Sequence, residues 1–175
     1  MKEFHNPIKL TTKNARILVT GATGYIGGRL IPRLLSSNFN VRVLVRDKEK
    51  IRNKSWYSQV EVFEGDLTKP ETLSRLPDGV DQAYCLIHSM SDSQDYIALD
   101  RLVAENFVTL FKDIKHVIYL GGISPDGPQI SDHLNSRIEV GKILSDSLPT
   151  TEFCAGPIIG SGSASYEMLR HLCEK

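Results

Sequence analysis

The segment Thr20-Gly21-Ala22-Thr23-Gly24-Tyr25-Ile26-Gly27 constrains this chain more than any other part of it. It follows a short apolar run, Arg16–Thr20 (RILVT). It opens a stretch in which Ile26, Leu30, Ile31, Leu34 and Leu35 fall on one helical face. Gly21 permits a tight turn off the strand. Gly24 lets the backbone approach a pyrophosphate with no Cβ in the way, and Gly27 lets the helix lie close to the strand. The N–H groups at the helix start, at the positive end of its dipole, then face the phosphates. Strand, glycine turn and helix together predict a dinucleotide site that includes Gly21, Thr23, Gly24, Tyr25 and Ile26. A turn that merely packs is the alternative.

The remainder of the chain alternates in the same way. Val41–Arg46 (VRVLVR), Val60–Glu64 (VEVFE), Gln82–Ile87 (QAYCLI), His116–Leu120 (HVIYL) and Thr151–Ala155 (TEFCA) read as strands. Several are nearly continuous β-branched or aromatic runs, as expected of parallel strands covered on both faces. Pro32 falls inside the first helix, where its ring would press on the carbonyl of Gly28, so a bend or local distortion is expected there. Leu99, Leu102, Val103, Phe107, Leu110 and Phe111 mark a longer helix, with Ser91, Asp92 or Ser93 as candidate N-caps. Leu134, Ile138, Ile143, Leu144 and Leu148 mark another, ended by Pro149, and a last helix is expected over Ala164–Cys173. Six strands alternating with helices imply an α/β fold: a Rossmann-type, doubly wound parallel sheet, most simply in order 3-2-1-4-5-6, with helices on both faces.

Length and composition agree with that architecture. At 175 residues the chain holds one domain with a proper core, over residues 16–175, preceded by an extension over residues 1–15. Lys and Arg number 21, as do Asp and Glu, so no basic excess points to a nucleic-acid partner. Cys85, Cys154 and Cys173 show no metal-ligand spacing. Cys85 and Cys154 lie in apolar runs and read as buried free thiols in a reducing compartment. The N-terminal MKEFHNPIKLTTKNA lacks an apolar core of signal-peptide length, and no later stretch reaches membrane-spanning length, so a cytoplasmic protein is expected. The chain ends at HLCEK with neither Gly nor Pro to stop the last helix, which reads as part of a longer protein.

Cofactor choice turns on the end of the second strand. An acidic side chain in this region usually serves the ribose hydroxyls of NAD, whereas an Arg accommodates the 2′-phosphate of NADP. Arg46 stands there and favours NADP, because a guanidinium donates a planar pair of hydrogen bonds to phosphate. Asp47 follows it and blurs the preference, and a solvated strand-end charge is the alternative reading of Arg46. Asp66, in Glu64-Gly65-Asp66-Leu67, sits where such domains often contact adenine; a turn or N-cap aspartate would look the same in sequence.

With TGATGYIG, the EGDL segment and the GGIS segment, the chain resembles the extended and atypical short-chain dehydrogenase/reductases, and within them the NmrA-like branch. The segments Leu86-Ile87-His88-Ser89-Met90 and Ser131-Asp132-His133-Leu134 are similar to ones found in bacterial members. Cys154-Ala155-Gly156-Pro157-Ile158-Ile159-Gly160 resembles the stretch that borders the nicotinamide. The resemblance covers roughly residues 15–172. It implies NADP or NAD as cofactor, with Leu67, Ile87, His88 and Pro157 added to its contacts. It also implies a small-molecule substrate shaped by a C-terminal region that this chain lacks, and a homodimer as one possible assembly.

Active members of that family use a Ser at the end of strand five and a Tyr-x-x-x-Lys on the next helix, the Tyr relaying a proton and the Lys tuning it. Ser124 lies close to the serine position, but no Tyr-x-x-x-Lys exists downstream. His133 and Arg137 are the best-aligned substitutes, four residues apart and so on one helix face. Lys142, nine residues beyond His133, lies about 180° around the helix at ~100° per residue and points away. Imidazole can exchange protons near neutral pH, and Arg137 could hold a ribose or phosphate. A surface His and a salt-bridging Arg are the plainer readings. Two functions follow: a divergent oxidoreductase on a carbonyl or alcohol, or a non-catalytic NADP(H)-binding module that regulates or senses redox state.

Overall fold

The structure is a computed structural model that describes residues 15–73, 79–87, 96–123 and 131–174. Six strands form one parallel sheet: β1 (Arg16–Thr20), β2 (Asn40–Val45), β3 (Glu61–Glu64), β4 (Gln82–Cys85), β5 (His116–Gly122) and β6 (Thr150–Ala155). Their order is β3-β2-β1-β4-β5-β6, the doubly wound order expected from the alternating pattern. Helix α1 (Tyr25–Ser36) crosses from β1 to β2, α2 (Tyr96–Leu110) precedes β5, α3 (Asp132–Ser147) links β5 to β6, and α4 (Ala164–Cys173) follows. The sheet reverses direction of winding between β1 and β4, and the crevice beyond the carboxyl ends of those strands is where ligands of such sheets bind.

The strands divide their side chains between two cores with a period of two. Ile17, Val19, Val41, Val43 and Val45 point to the α1 side, where they pack with Ile31, Leu34, Ile51 and Trp56. Leu18, Leu44, Ala83, Cys85, Val117 and Tyr119 point to the other side, against Val103, Phe107, Val140 and Leu144 of α2 and α3. The distortion expected at Pro32 does not interrupt α1, which runs unbroken from Tyr25 to Ser36. Pro32 is exposed, so water can serve the Gly28 carbonyl that its missing N–H leaves free. Helix α3 begins at the N-cap Ser131, whose hydroxyl accepts from the Leu134 N–H, and ends just before Leu148 and Pro149. The N-cap candidates Ser91, Asp92 and Ser93 of α2 lie outside the described residues.

One expectation fails at the edge of the sheet. Cys85 is buried, but Cys154 is exposed. Among the described residues strand β6 pairs only with β5, and every one of its residues is at least partly exposed, including Phe153 at 59%. An apolar run predicts burial only where both faces of its strand are covered, and among the described residues the outer strand β6 lacks that cover. Among the described residues, no helix is long and apolar enough to cross a membrane.

Candidate functional site

The site is assembled where β1 and β4 end side by side. The Thr20 hydroxyl donates to the Tyr84 carbonyl at 3.2 Å and accepts from the Leu86 N–H at 3.1 Å, locking the two strand ends together. The chain then leaves β1 at Gly21 with φ +71°, a conformation that L side chains rarely adopt, and a Cβ there would lie 2.8 Å from the Leu86 carbonyl oxygen. The Gly24 N–H closes the turn onto the Gly21 carbonyl at 3.0 Å. Gly27 keeps the helix close to the turn, since a Cβ there would press into the Gly21 carbonyl oxygen. Helix α1 therefore packs directly on the turn.

Gly24 is the N-cap of α1, no side chain caps the helix, and its first turn carries no acidic residue. Among the described residues no side chain caps the leading N–H groups at the positive dipole end, as an anion site requires. Among the described residues beyond its two chain neighbours, a Cβ on Gly24 would meet only the Gly21 carbonyl oxygen within 4 Å, at 3.2 Å.

Two cavities flank this helix start and share Gly21, Gly24 and Leu86. The first, about 580 Å³, is bordered by Thr23, Arg46, Asp66, Leu67 and Ile87. The second, about 760 Å³, is bordered by Tyr25, Ile26, His133, Arg137 and Pro157. All the site residues expected from sequence that fall among the described residues thus line one cavity or the other. Ser124 and His88 lie outside the described residues.

In the first cavity Arg46 is exposed, and no carboxylate among the described residues pairs with it. Asp47, which blurred the reading of Arg46, is occupied as an N-cap: its Oδ1 accepts from the Glu49 N–H at 2.9 Å. That cap starts a short 3₁₀ turn, Lys48–Lys50, and Lys50 also borders the cavity. Sequence reasoning missed Lys50, because a single basic residue in a loop has no periodicity to place it. Asp66 borders the cavity and is also a turn residue, its Oδ1 accepting from both the N–H and hydroxyl of Thr68 at 2.9 and 2.8 Å.

In the second cavity His133 and Arg137 stand on the same face of α3, as the four-residue spacing requires. The His133 ring is exposed and lies 6.3 Å, centroid to centroid, from Tyr96 of α2. Arg137 is half-buried and fixed: its guanidinium donates to the Leu120 carbonyl and stands 5.9 Å from the centre of the Tyr119 ring. The Tyr119 hydroxyl donates in return to the Arg137 carbonyl at 3.1 Å. Burial raises the Tyr119 phenol well above its ordinary range, so it stays protonated and keeps that bond. Lys142 points elsewhere, bound to Asp146 at 2.9 Å. The cavity's far wall is tied to α1 by Arg29, which stacks 3.8 Å over Tyr25 and donates to the Ser161 carbonyl at 2.7 Å.

Comparison with known proteins gives this geometry a family. A 3 beta-hydroxysteroid dehydrogenase/Delta 5-->4-isomerase of Mycobacterium tuberculosis is 33% identical over 75 residues, which cover 43% of this chain and 20% of that protein. Triphenylmethane reductase of Citrobacter sp., solved in complex with NADP(H), is 25% identical, with a TM-score of 0.70 over 91% of this chain and 55% of that one. The Bordetella bronchiseptica enzyme WbmG, solved in complex with NAD, has a TM-score of 0.70 over 87% of this chain and 56% of its own; at 18% identity it shows the fold alone. This chain therefore spans a little over half the length of these solved structures, and a fifth of the mycobacterial dehydrogenase. A model of the NmrA-like family matches residues 13–132, more than half of the chain. The chain belongs to the NmrA-like family.

Proposed function

We propose that this chain binds NADP(H) in preference to NAD(H) and serves an oxidoreductase that acts on a carbonyl or alcohol. One observation carries the reading: two cavities meet at the uncapped, glycine-built start of α1, with Arg46 and Lys50 at one end and His133 and Arg137 at the other. The residues present suit a dinucleotide. The helix start and Gly21–Gly27 would take the pyrophosphate, with Gly24 leaving room for it. Arg46 and Lys50 would take the 2′-phosphate, Asp66 and Leu67 the adenine side, and Ile26, Ile87 and Pro157 the path toward the nicotinamide. The NADP(H) complex of the Citrobacter reductase supports this choice of cofactor.

When bound, the nicotinamide supplies hydride chemistry, which is the cofactor's own. The protein's part is to hold the reactants and handle a proton. His133, at the open rim of the second cavity, would hold or release that proton, and Ser124 would polarise the substrate oxygen. Calorimetry with NADP⁺ and NAD⁺ tests the binding; NADP⁺ is expected to bind at least tenfold more tightly, and equal or reversed affinities would overturn the preference.

The absence of a Tyr-x-x-x-Lys, with Lys142 turned away onto Asp146, favours a second reading. In it the chain is a non-catalytic NADP(H)-binding module. Incubation with NADPH and a broad panel of carbonyls, following loss of the reduced-nicotinamide absorbance, separates the two. Turnover excludes the module; tight binding without turnover across the panel supports it.

A further inference from the structure

We propose that the second cavity takes a ligand with an apolar body and one carboxylate, and that Arg137 recognises the carboxylate. The inference rests on the proposed function only in calling that ligand a substrate.

Two features of the lining point to it. The wall is largely apolar, built by Ile26, Leu120, Ile123, Leu134, Pro157 and Ile158. Among the described residues it holds no carboxylate, and Arg137 is the only Lys or Arg in it. None of the ion pairs of the described residues includes Arg137. The nearby Glu152 of β6 is turned instead onto the glycine faces of β5 and α3, where a Cβ on Gly121 or Gly141 would collide with its carboxylate.

The guanidinium is held but not neutralised. The Leu120 carbonyl orients it and Tyr119 lies beside it, both uncharged partners. A half-buried cation with apolar neighbours is costly until an anion joins it. A guanidinium offers five N–H donors in a rigid fork, of which the Leu120 carbonyl takes one, and a carboxylate matches two of those remaining. A ribose hydroxyl or a neutral ketone would leave the charge uncompensated, so the cavity discriminates by charge as well as by shape.

Phenylpyruvate and its neutral counterpart phenylacetone are the probes, because they share the aromatic body and the ketone and differ in the carboxylate. Binding is followed by ligand-observed NMR and calorimetry on the full chain, with and without NADP⁺. Phenylpyruvate is expected to bind at least tenfold more tightly than phenylacetone. Arg137→Met is expected to bring that ratio near one, with Arg137→Lys retaining part of it. Equal affinities in the wild type, no binding of the acid, or an undiminished ratio in Arg137→Met overturns the proposal; the wild-type comparison decides even if that variant fails to fold. A tenfold loss of NADP⁺ affinity in Arg137→Met with the acid preference intact makes Arg137 a cofactor residue and overturns it too. Failure of the cofactor reading is separate: the acid would then bind selectively while neither dinucleotide bound.

Discussion

Gly24 and Gly27 lie three residues apart in the same motif, yet substituting them should have opposite consequences. At Gly27 an added Cβ would press on the Gly21 carbonyl oxygen and stand 3.0 Å from the Ala22 Cα, and both are backbone. Relief requires α1 to lift from the turn by about an ångström, given optimal separations of roughly 3.5–4.0 Å. Overpacking of this kind costs ~1–3 kcal/mol, and a rigid backbone contact belongs at the upper end. Helix propensity returns about 1 kcal/mol for Gly→Ala. The net cost of Gly27→Ala is then about 2 kcal/mol, a fall in Tm of roughly 4–8 °C for a chain of this size. Gly24 has φ −78° and ψ 170°, ordinary extended backbone that valine adopts without strain. Its one close contact is 3.2 Å. Lower entropy of the unfolded chain stabilises Gly24→Val by ~0.4–1 kcal/mol, and the poorer N-cap offsets a similar amount. Folding should be unchanged within about 1 kcal/mol. Binding should not be, because the valine methyls occupy the space above the helix start. Losing two charge-assisted hydrogen bonds at about 1.5 kcal/mol each weakens NADP⁺ roughly 150-fold. Thermal unfolding by circular dichroism and titration calorimetry on both variants give the two readouts. Wild-type NADP⁺ affinity in a folded Gly24→Val would refute the phosphate role of this turn; unfolding of Gly24→Val with an unaffected Gly27→Ala would refute the packing argument.

Arg46→Ala should weaken NADP⁺ by ~10- to 150-fold and leave NAD⁺ nearly unchanged in calorimetry, since only the 2′-phosphate loses a partner; equal losses would remove Arg46 from that role. At the opposite end of the sheet Asp81 accepts from Lys115 Nζ at 2.7 Å and from the Arg16 N–H at 2.9 Å, and these donors lower its pKa from 3.8 to about 2. A depressed carboxylate pKa contributes stability that is present above about pH 4 and is lost as pH falls toward 2. Solvent screening at this surface position reduces the contribution to about 1 kcal/mol. Asp81→Asn should therefore lower stability at neutral pH and flatten denaturant midpoints between pH 4 and 2; a parallel acid profile would show the pair contributes nothing. Between α2 and α3 the buried Ser136 donates to Asp100 Oδ2 at 2.9 Å, and Ser136→Ala should cost ~1–3 kcal/mol in urea unfolding, whereas a change below about 0.5 kcal/mol would mean the bond is replaced.

The order of strands and helices could be read from the sequence because each element announces itself locally. Period-two and helical spacings depend on neighbours a few residues apart, and the glycine turn is a statement about backbone geometry within eight residues. Strand order followed from handedness and connection rules acting on that series. Boundaries slipped by a residue or two; β5 runs two residues beyond the apolar run that marked it, through Gly121 and Gly122. Burial was less legible. The run TEFCA looks like a covered strand, and only its place at the sheet's edge exposes Cys154 and Phe153.

By itself, then, the sequence determined the doubly wound sheet, the glycine turn at its centre, and the shared face of His133 and Arg137, all properties of short stretches of chain. Tertiary structure decided what those residues meet. Arg46, Asp66 and Ile87 are some twenty residues apart in sequence and border one cavity because β2, β3 and β4 all end at the same edge of the sheet. Lys50 joins them through a 3₁₀ turn that Asp47 caps, and a carbonyl on β5 aims the Arg137 guanidinium. No local pattern encodes such contacts, because they arise only once parallel pairing has set distant strand ends side by side.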